Sequence, residues 1–243
     1  MIITAMIDLI RAEYKYKVEL HTHTSPASHS SDIGARRMIE MYADRGFSAV
    51  TITNHFKPAD KNPDETLRDY TDRFLNDYYE ACDEGKKRGV NILLGAEFTF
   101  EDSDDDYLAF GITEEDLYNL ENINMKTAMG FYKEFKNDRN LIIQAHPFRD
   151  GGSFKEGCSD GIEAYNMNLV TNNYPALGAK YAADKQLIKT IGADTHEENG
   201  VGHCATRMKT VPKDSVELAT LIKWGAYVCQ IGDDILLPRL YRW

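Results

Sequence analysis

Short apolar runs rich in β-branched residues recur along the 243-residue chain, with segments of helical periodicity between them. The runs are "YKVEL" (16 to 20), "FSAVTIT" (47 to 53), "VNILLGA" (90 to 96), "DYLAFGI" (106 to 112), "NLIIQA" (140 to 145), "DGIEAYN" (160 to 166), "IKTIGA" (188 to 193) and "AYVCQI" (226 to 231). Runs of this length suit strands buried on both faces. Between the first two, Ala35, Met38, Ile39 and Tyr42 follow an i, i+3, i+4, i+7 pattern that ends at Gly46, which predicts a helix with a glycine stop. Residues 69 to 88 repeat the device with Phe74, Leu75, Tyr78, Tyr79 and Cys82 before Gly89. Residues 114 to 136 carry Leu117, Leu120, Phe131 and Phe135, with Gly130 as an internal weak point. Pro175 can open a helix running to Lys185, and residues 214 to 224 supply Val216, Leu218, Leu221 and Ile222 before Gly225. Strand and helix alternating in this way predict an α/β fold with a parallel sheet, and seven or so repeats favour a closed TIM-like barrel over an open sheet.

Size and charge narrow what such a fold can do. A chain of 243 residues buries a sizeable core and is read as one domain, residues 1–243, with 1–15 as an N-terminal arm or short helix. Lys and Arg total 28 against 39 Asp and Glu, a net charge of -11, which repels nucleic acid and anionic membrane unless bound cations reverse the local field. No apolar run reaches the roughly 18 residues of a membrane span, and "MIITAMIDLIRAEYK" lacks a basic leader with a cleavage site. Cys82, Cys158, Cys204 and Cys229 are widely spaced and form no C-x-x-C pair. A disulfide framework is not indicated, and a reducing cytoplasm is the expected compartment.

The chemistry is written at the ends of the runs. The first is followed by His21-Thr-His23, the second by Asn54-His55, the third by Glu97, the fifth by His146, and the seventh by Asp194-Thr-His196. In parallel α/β folds, functional groups gather at the carboxyl edge because the loops there converge. His21 and His23, two apart on an extended chain, share one face and can grip one ion. Imidazole nitrogen suits zinc, manganese and iron, whereas carboxylate oxygen neutralises charge and can bridge two ions. Histidines mixed with Glu97 and Asp194 are what a multinuclear centre requires, and two divalent ions can hold a nucleophilic water for attack at phosphorus.

In order along the chain, "VELHTHTSPASHSSD", "AVTITNH", "LLGAEFTF", "IIQAHPFR" and "IGADTHEENGVG" resemble the successive motifs of the PHP (polymerase and histidinol phosphatase) superfamily of metal-dependent phosphoesterases. The likeness spans roughly residues 16 to 230. It implies a distorted (β/α)7 barrel with two or three divalent ions (Zn, Mn or Fe) at its C-terminal edge, in a stand-alone member. Carried over residue by residue, it implies that His21, His23, Glu97 and Asp194 bind one ion. Glu97 would bridge to a second ion also held by His146, and His29, His55 and His196 would hold a third. His29, eight residues after His21, is what points to the histidinol-phosphatase-like branch. The pattern departs from the family at the fourth strand region, where "DSDDDYLAFG" has no histidine; Asp106 or a neighbouring aspartate would replace it, or the second site is weak.

The expected reaction is hydrolysis of a small phosphomonoester by a metal-bridging hydroxide, since such ions lower the pKa of bound water toward roughly 7. A proton for the leaving oxygen would come from a metal-bound water, Asp194 or His203. Arg149, Arg207 and Lys57 are the candidate phosphate donors, the arginines because guanidinium meets phosphate bidentately. A nuclease or a nucleotide or cyclic phosphodiesterase is the alternative on the same centre, and a non-catalytic metal-binding module is a third reading. An amidohydrolase barrel would want a metal-bridging lysine where this chain has Glu97. The expected partner is a small phosphorylated substrate and not a membrane, with nucleic acid disfavoured by charge but left open by the nuclease alternative.

Overall fold

Each apolar run contains a strand, with boundaries redrawn by local chemistry. The computed structural model describes residues 2–168 and 170–237. In chain order the elements are α1 (Ile2–Glu13), β1 (Tyr16–Glu19), α2 (Ala35–Asp44), β2 (Phe47–Ile52), β3 (His55–Phe56), α3 (Leu67–Arg88), β4 (Asn91–Leu94), β5 (Ala96–Thr99), β6 (Asp106–Phe110), α4 (Glu114–Tyr118), α5 (Ala128–Phe135), β7 (Leu141–Gln144), β8 (Gly161–Asn166), α6 (Pro175–Lys185), β9 (Ile188–Gly192), β10 (Cys204–Met208), α7 (Ser215–Lys223), β11 (Tyr227–Ile231) and β12 (Asp234–Leu236).

Helix α3 starts where Thr66 and Asp69 exchange side chain and backbone bonds in a capping box, and it stops at Gly89, whose φ of 71° suits glycine. The single helix expected over 114 to 136 is two. A second capping box, Thr113 with Asp116, opens α4, and a 3-10 turn at Asn119–Asn122 ends it before Thr127 caps α5. Gly130 leaves room for the Asn124 side chain, whose Nδ2 would lie 2.4 Å from a Cβ there.

The strands form two six-stranded sheets, β12-β11-β10-β1-β2-β4 and β3-β5-β6-β7-β8-β9. This corrects the expected closed (β/α)7 barrel: β6 runs antiparallel to both neighbours, β10 runs antiparallel to β1 and β11, and no helix separates β4, β5 and β6. Strands β1, β2 and β4 are parallel, as are β7, β8 and β9, so their carboxyl ends share an edge. Past those ends, Thr22 and Thr195 form a parallel bridge, and His23 N–H donates to Thr195 O at 3.1 Å. That bridge draws the chain after β1 against the chain after β9.

One core cluster, with Val18, Leu108, Phe110, Ile143 and Leu218, packs the inner strand faces and α7. A second, with Phe56, Phe74, Phe98 and Phe131, packs under α3, α4 and α5. Fully burying each such side chain stabilises the fold by about 1.5–3 kcal/mol. No described helix is long and apolar enough to cross a membrane, and all four cysteines are free.

Candidate metal centre

The strand ends deliver their side chains to one place. His21 and His23 follow β1, His55 opens β3, Glu97 lies in β5, His146 follows β7, and Asp194 and His196 follow β9. Three groups of ligand-capable atoms result, each with its members within 4.8 Å of one another: His23, His55 and His196; His21, Glu97 and His146; His21, His23 and Asp194. His21, His23 and Glu97 are fully buried, at 0% exposure.

The hydrogen bonds behind the ligands determine which atoms face inward. Ser28 Oγ donates its single proton to Asn54 Oδ1 at 3.0 Å, so toward His23 Nδ1 at 3.2 Å and His55 N–H at 3.0 Å it is an acceptor. His23 therefore carries its proton on Nδ1 and turns the Nε2 lone pair inward, 3.0 Å from His21 Nε2. Glu97 splits its oxygens. Oε1 lies 3.2 Å from both His21 Nε2 and His146 Nε2, while Oε2 lies 3.2 Å from His23 Nε2 and 3.0 Å from His55 Nδ1. Asp194 Oδ1 is 3.4 Å from His21 Nε2, 3.3 Å from His23 Nε2 and 3.0 Å from His196 Nε2.

These electron-rich atoms fit a cation. Glu97 Oε2 and His196 Nδ1 are buried without any hydrogen-bond partner, which is unfavourable by about 1–3 kcal/mol per group unless something binds there. The electrostatics agree. Burial would lower the His21 pKa, but Glu163, Asp194 and Glu97 overcome it and hold it well above the imidazole value. Burial opposed by Glu97 leaves His55 and His146 raised as well. Against the same burial, the neighbouring histidines hold Glu97 and Asp194 well below the carboxylate range. Burial together with the charge of His55 pushes His23 down to about 4. His146 and Asp194 also hold positive φ, 28° and 49°, a conformation unfavourable for non-glycine residues by about 1–3 kcal/mol and concentrated at functional sites.

The other expected residues divide. Arg149 stands at the centre, its NH2 group donating to Asp106 Oδ2 at 3.1 Å and NH1 lying 4.0 Å from Asp194 Oδ2. Asp106 occupies the fourth-strand position that lacks a histidine, 3.7 Å from His146 Nε2, and Thr99 Oγ1 donates to its Oδ1. His29 is exposed and belongs to none of the three groups. The inward position of its loop is filled by Ser28, so the next residue turns out, and His29 lines the cavity mouth instead. The branch that rested on His29 therefore gains nothing from the geometry. His203 is exposed, with Nε2–H donating to Asn199 O. Asp194 is held well below the carboxylate range against its burial by the neighbouring histidines, and its Oδ2 accepts from Asn166 Nδ2. Arg207 is at the wrong end, because antiparallel β10 carries it back to the level of Lys17 at the start of β1. Lys57 is exposed at the mouth, its backbone N–H donating to Tyr70 OH.

Sequence reasoning passed over Glu19, Ser28, Glu163 and Asn166, which bond the ligands or their backbone, and over the role of the Asn54 side chain, which holds Ser28 and Thr24. "VELHTH" and "DGIEAYN" did contain a signal: a carboxylate in an apolar run is buried and must be partnered. Above the ligands opens a cavity of about 320 Å³ lined by His29, His55, Lys57, Arg73 and Asp106 among others, and through Lys57, Thr99 and Asp104 it joins a groove of about 1050 Å³.

Comparison with known proteins follows the same line. Over 107 residues the chain is 28% identical to a PolC-type DNA polymerase III from Oceanobacillus iheyensis, covering 44% of this chain and 6% of that much longer protein. A two-domain protein from Bacteroides vulgatus, described as containing a predicted PHP-like metal-dependent phosphoesterase, superposes with a TM-score of 0.62 at 16% identity, over 89% of this chain and 64% of that one. PsfC from Pseudomonas syringae superposes at 0.58, also 16% identical, over 84% and 88%. These structures share the fold. The PHP domain family model matches residues 19–175, well over half of the chain and all of the first four ligand-bearing strand ends, and the chain belongs to the PHP domain family.

Proposed function

We propose that this chain is a metal-dependent phosphoesterase that hydrolyses a small phosphomonoester. The observation that carries the reading is the convergence of imidazole nitrogens and carboxylate oxygens in three overlapping groups, with His23 turning Nε2 inward and with Glu97 Oε2 and His196 Nδ1 left without a hydrogen bond. An imidazole nitrogen binds one ion. Since His21 and His23 each belong to two groups, the groups support two ions at once: one on His21, Glu97 and His146, the other on His23, His55 and His196. Glu97 and Asp194, with oxygens facing both histidine sets, are placed to bridge. Zinc, manganese or iron suit this donor set. When bound, such ions supply an activated water and neutralise phosphate charge.

The chain's own groups do the rest. Arg149 has donors beside Asp106 and Asp194 that can turn to a phosphate oxygen, and the cavity holds the ester. Glu163, Ser28 and Asn54 keep the ligands aligned. A monoester is preferred to a nucleic acid because the adjoining groove sets Glu101, Asp102, Asp104 and Glu121 against Lys57, Lys61 and Lys126. A polynucleotide track would be basic, with stacking aromatics.

The test pairs metal analysis with a substrate panel. Purified protein is expected to hold about two transition-metal ions per chain and to hydrolyse p-nitrophenyl phosphate and phosphorylated metabolites, with the activity lost in EDTA. Preference for bis(p-nitrophenyl) phosphate or a single-stranded oligonucleotide would replace the monoester reading with a diesterase. Protein that binds no metal would remove both.

A further inference from the structure

Strand β8 supplies no member of the three ligand groups, yet two of its buried polar side chains touch residues from three other strand ends. Glu163 Oε1 accepts from His21 Nδ1 at 2.9 Å, and Glu163 Oε2 accepts from the His146 backbone N–H at 3.2 Å and from Asn166 Nδ2 at 2.8 Å. Asn166 Nδ2 also donates to Asp194 Oδ2 at 3.1 Å. The Asn166 amide is oriented by its far side, where Oδ1 accepts from Asn168 N–H and Asn173 Nδ2 at 3.0 and 2.9 Å.

Residues three apart on a regular strand face opposite sides. Here the pairing of β8 with β9 slips between Glu163 and Tyr165, so that Glu163 lies opposite Thr190 and Asn166 opposite Gly192. The extra residue, Ala164, makes a bulge that returns Asn166 to the face of Glu163. Gly192 leaves the space they need, since a Cβ there would lie 2.3 Å from Glu163 Oε1 and 2.4 Å from His21 Cβ.

We propose that Glu163 and Asn166 are positioning residues that lock the metal-binding form of the centre: Glu163 holds the His21 proton on Nδ1, and Asn166 occupies Asp194 Oδ2. A carboxylate only accepts, so the His21 nitrogen beside Glu163 carries hydrogen, and Nε2, facing Glu97, His23 and Asp194, is the nitrogen left to exchange its proton for a metal ion. Asn166 turns Asp194 Oδ1 toward the histidines by engaging the other oxygen. One bulged strand thereby sets the binding form of ligands it does not itself provide. In Glu163→Gln, an amide oxygen kept toward His21 puts an NH2 group against two donors, His146 N–H and Asn166 Nδ2. Turned the other way, the NH2 group meets Nδ1 and shifts the His21 proton to Nε2, which removes that ligand. Partners of metal-bound histidines typically change metal affinity by 10–100-fold.

The inference rests on the metal-dependent reading, and its test separates the two. Zn²⁺ affinity is measured by chelator competition on the full chain, wild type and the Glu163→Gln and Asn166→Ala variants, with melting temperatures in EDTA and ¹⁵N NMR of the histidine side chains in metal-free protein. Expected are a 10–100-fold weaker Zn²⁺ affinity for Glu163→Gln and a smaller loss for Asn166→Ala. Metal-free melting should stay within about 2 °C of wild type, and, at a pH high enough to leave His21 neutral, its signal should move toward the Nε2–H tautomer in Glu163→Gln. Unchanged affinity in both variants overturns the proposal, as does a loss that only tracks a fall in metal-free melting temperature. If wild type binds no Zn²⁺ or other divalent ion, the metal-centre reading falls and takes this inference with it.

Discussion

The two ends of β1 hold their polar groups in opposite ways. At its start, Lys17 Nζ donates to Arg45 O at 2.9 Å, while Arg207 from the adjacent β10 donates to Tyr14 O at 2.8 Å and to Gln230 Oε1. Both cations end on oxygens of the chain itself. Past its other end, His21 and His23 bring nitrogens within 3.0 Å of each other among carboxylates, with Glu97 Oε2 and His196 Nδ1 left without partners. Those bonds tie the first end to its own backbone, and their value is stability. The second is complete only with something added, and its backbone holds positive φ at His146 and Asp194 to keep the arrangement.

The sharpest way to break the contrast is to remove the carboxylate that serves both histidine sets. Glu97→Ala is expected to lower kcat/KM at least about 1,000-fold and to reduce bound metal to well under one ion per chain, as expected when a bridging ligand is lost. Metal-free stability should also fall, by about 3–5 kcal/mol, because removing one partner leaves the buried imidazoles of His21, His55 and His146 without the carboxylate that offsets them. Near wild-type turnover with full metal content would mean that the open end is merely another satisfied network. Arg149→Ala comes next. With its guanidinium 3.1 Å from Asp106 and its side chain 30% exposed, the loss should be about 10–100-fold in kcat/KM, the range for one charge-assisted phosphate contact, with metal content kept. Steady-state kinetics beside metal analysis reads both.

At the closed end the expectation is reversed. Arg207→Met removes donors to Tyr14 O and Gln230 and should lower unfolding stability by about 1–2 kcal/mol, the scale of buried bonds to a charged group. Activity should stay within about two-fold. Urea midpoints and turnover on one preparation decide it, and a tenfold loss of turnover without loss of stability would return Arg207 to the active end. Glu19, at the seam, gives a pH signature. Its Oε1 accepts from Leu20, His21 and Ala193 N–H, yet burial outweighs those bonds and pushes its pKa up to about 7. A carboxyl raised in the folded state stabilises the fold fully below about 4.5, its unfolded value, and that contribution is lost as pH rises through about 7. In metal-free protein, Glu19→Gln should flatten the fall of the urea midpoint across this window, a difference on the order of 1 kcal/mol. Parallel wild-type and variant curves would place the titration elsewhere.

The open end was the more legible of the two. Its ligands follow apolar runs directly, and a parallel strand places whatever comes after it at one edge, so order along the chain was enough for His21, His23, His55, Glu97, His146, Asp194 and His196. What escaped was whatever depended on direction. Arg207 follows the motifs in sequence but rides an antiparallel strand to the other end. Glu163 sits inside a strand, and its pairing with Asn166 depends on a bulge that no spacing announces. The barrel failed for a related reason: Gly95 divides one apolar run into β4 and β5, and β3 is two residues long. Antiparallel β6 then follows β5 without a helix, where alternation alone predicted another crossover.

His29 gives the comparison its smallest and most discriminating test. A histidine eight residues after His21 matches a ligand pattern in sequence, but position in a loop determines a ligand only if the loop turns that residue inward. Here Ser28 takes the inward place through three bonds, to His23, Asn54 and His55, and consecutive residues cannot both face the ions. His29→Ala should therefore change kcat/KM less than about three-fold and leave metal content at the wild-type value. Ser28→Ala, which frees the tautomer of His23, should cost more than His29→Ala in metal affinity by chelator competition. If the order is reversed, the loop closes over bound metal with His29 inward, and the open end is completed by a ligand drawn from the chain itself.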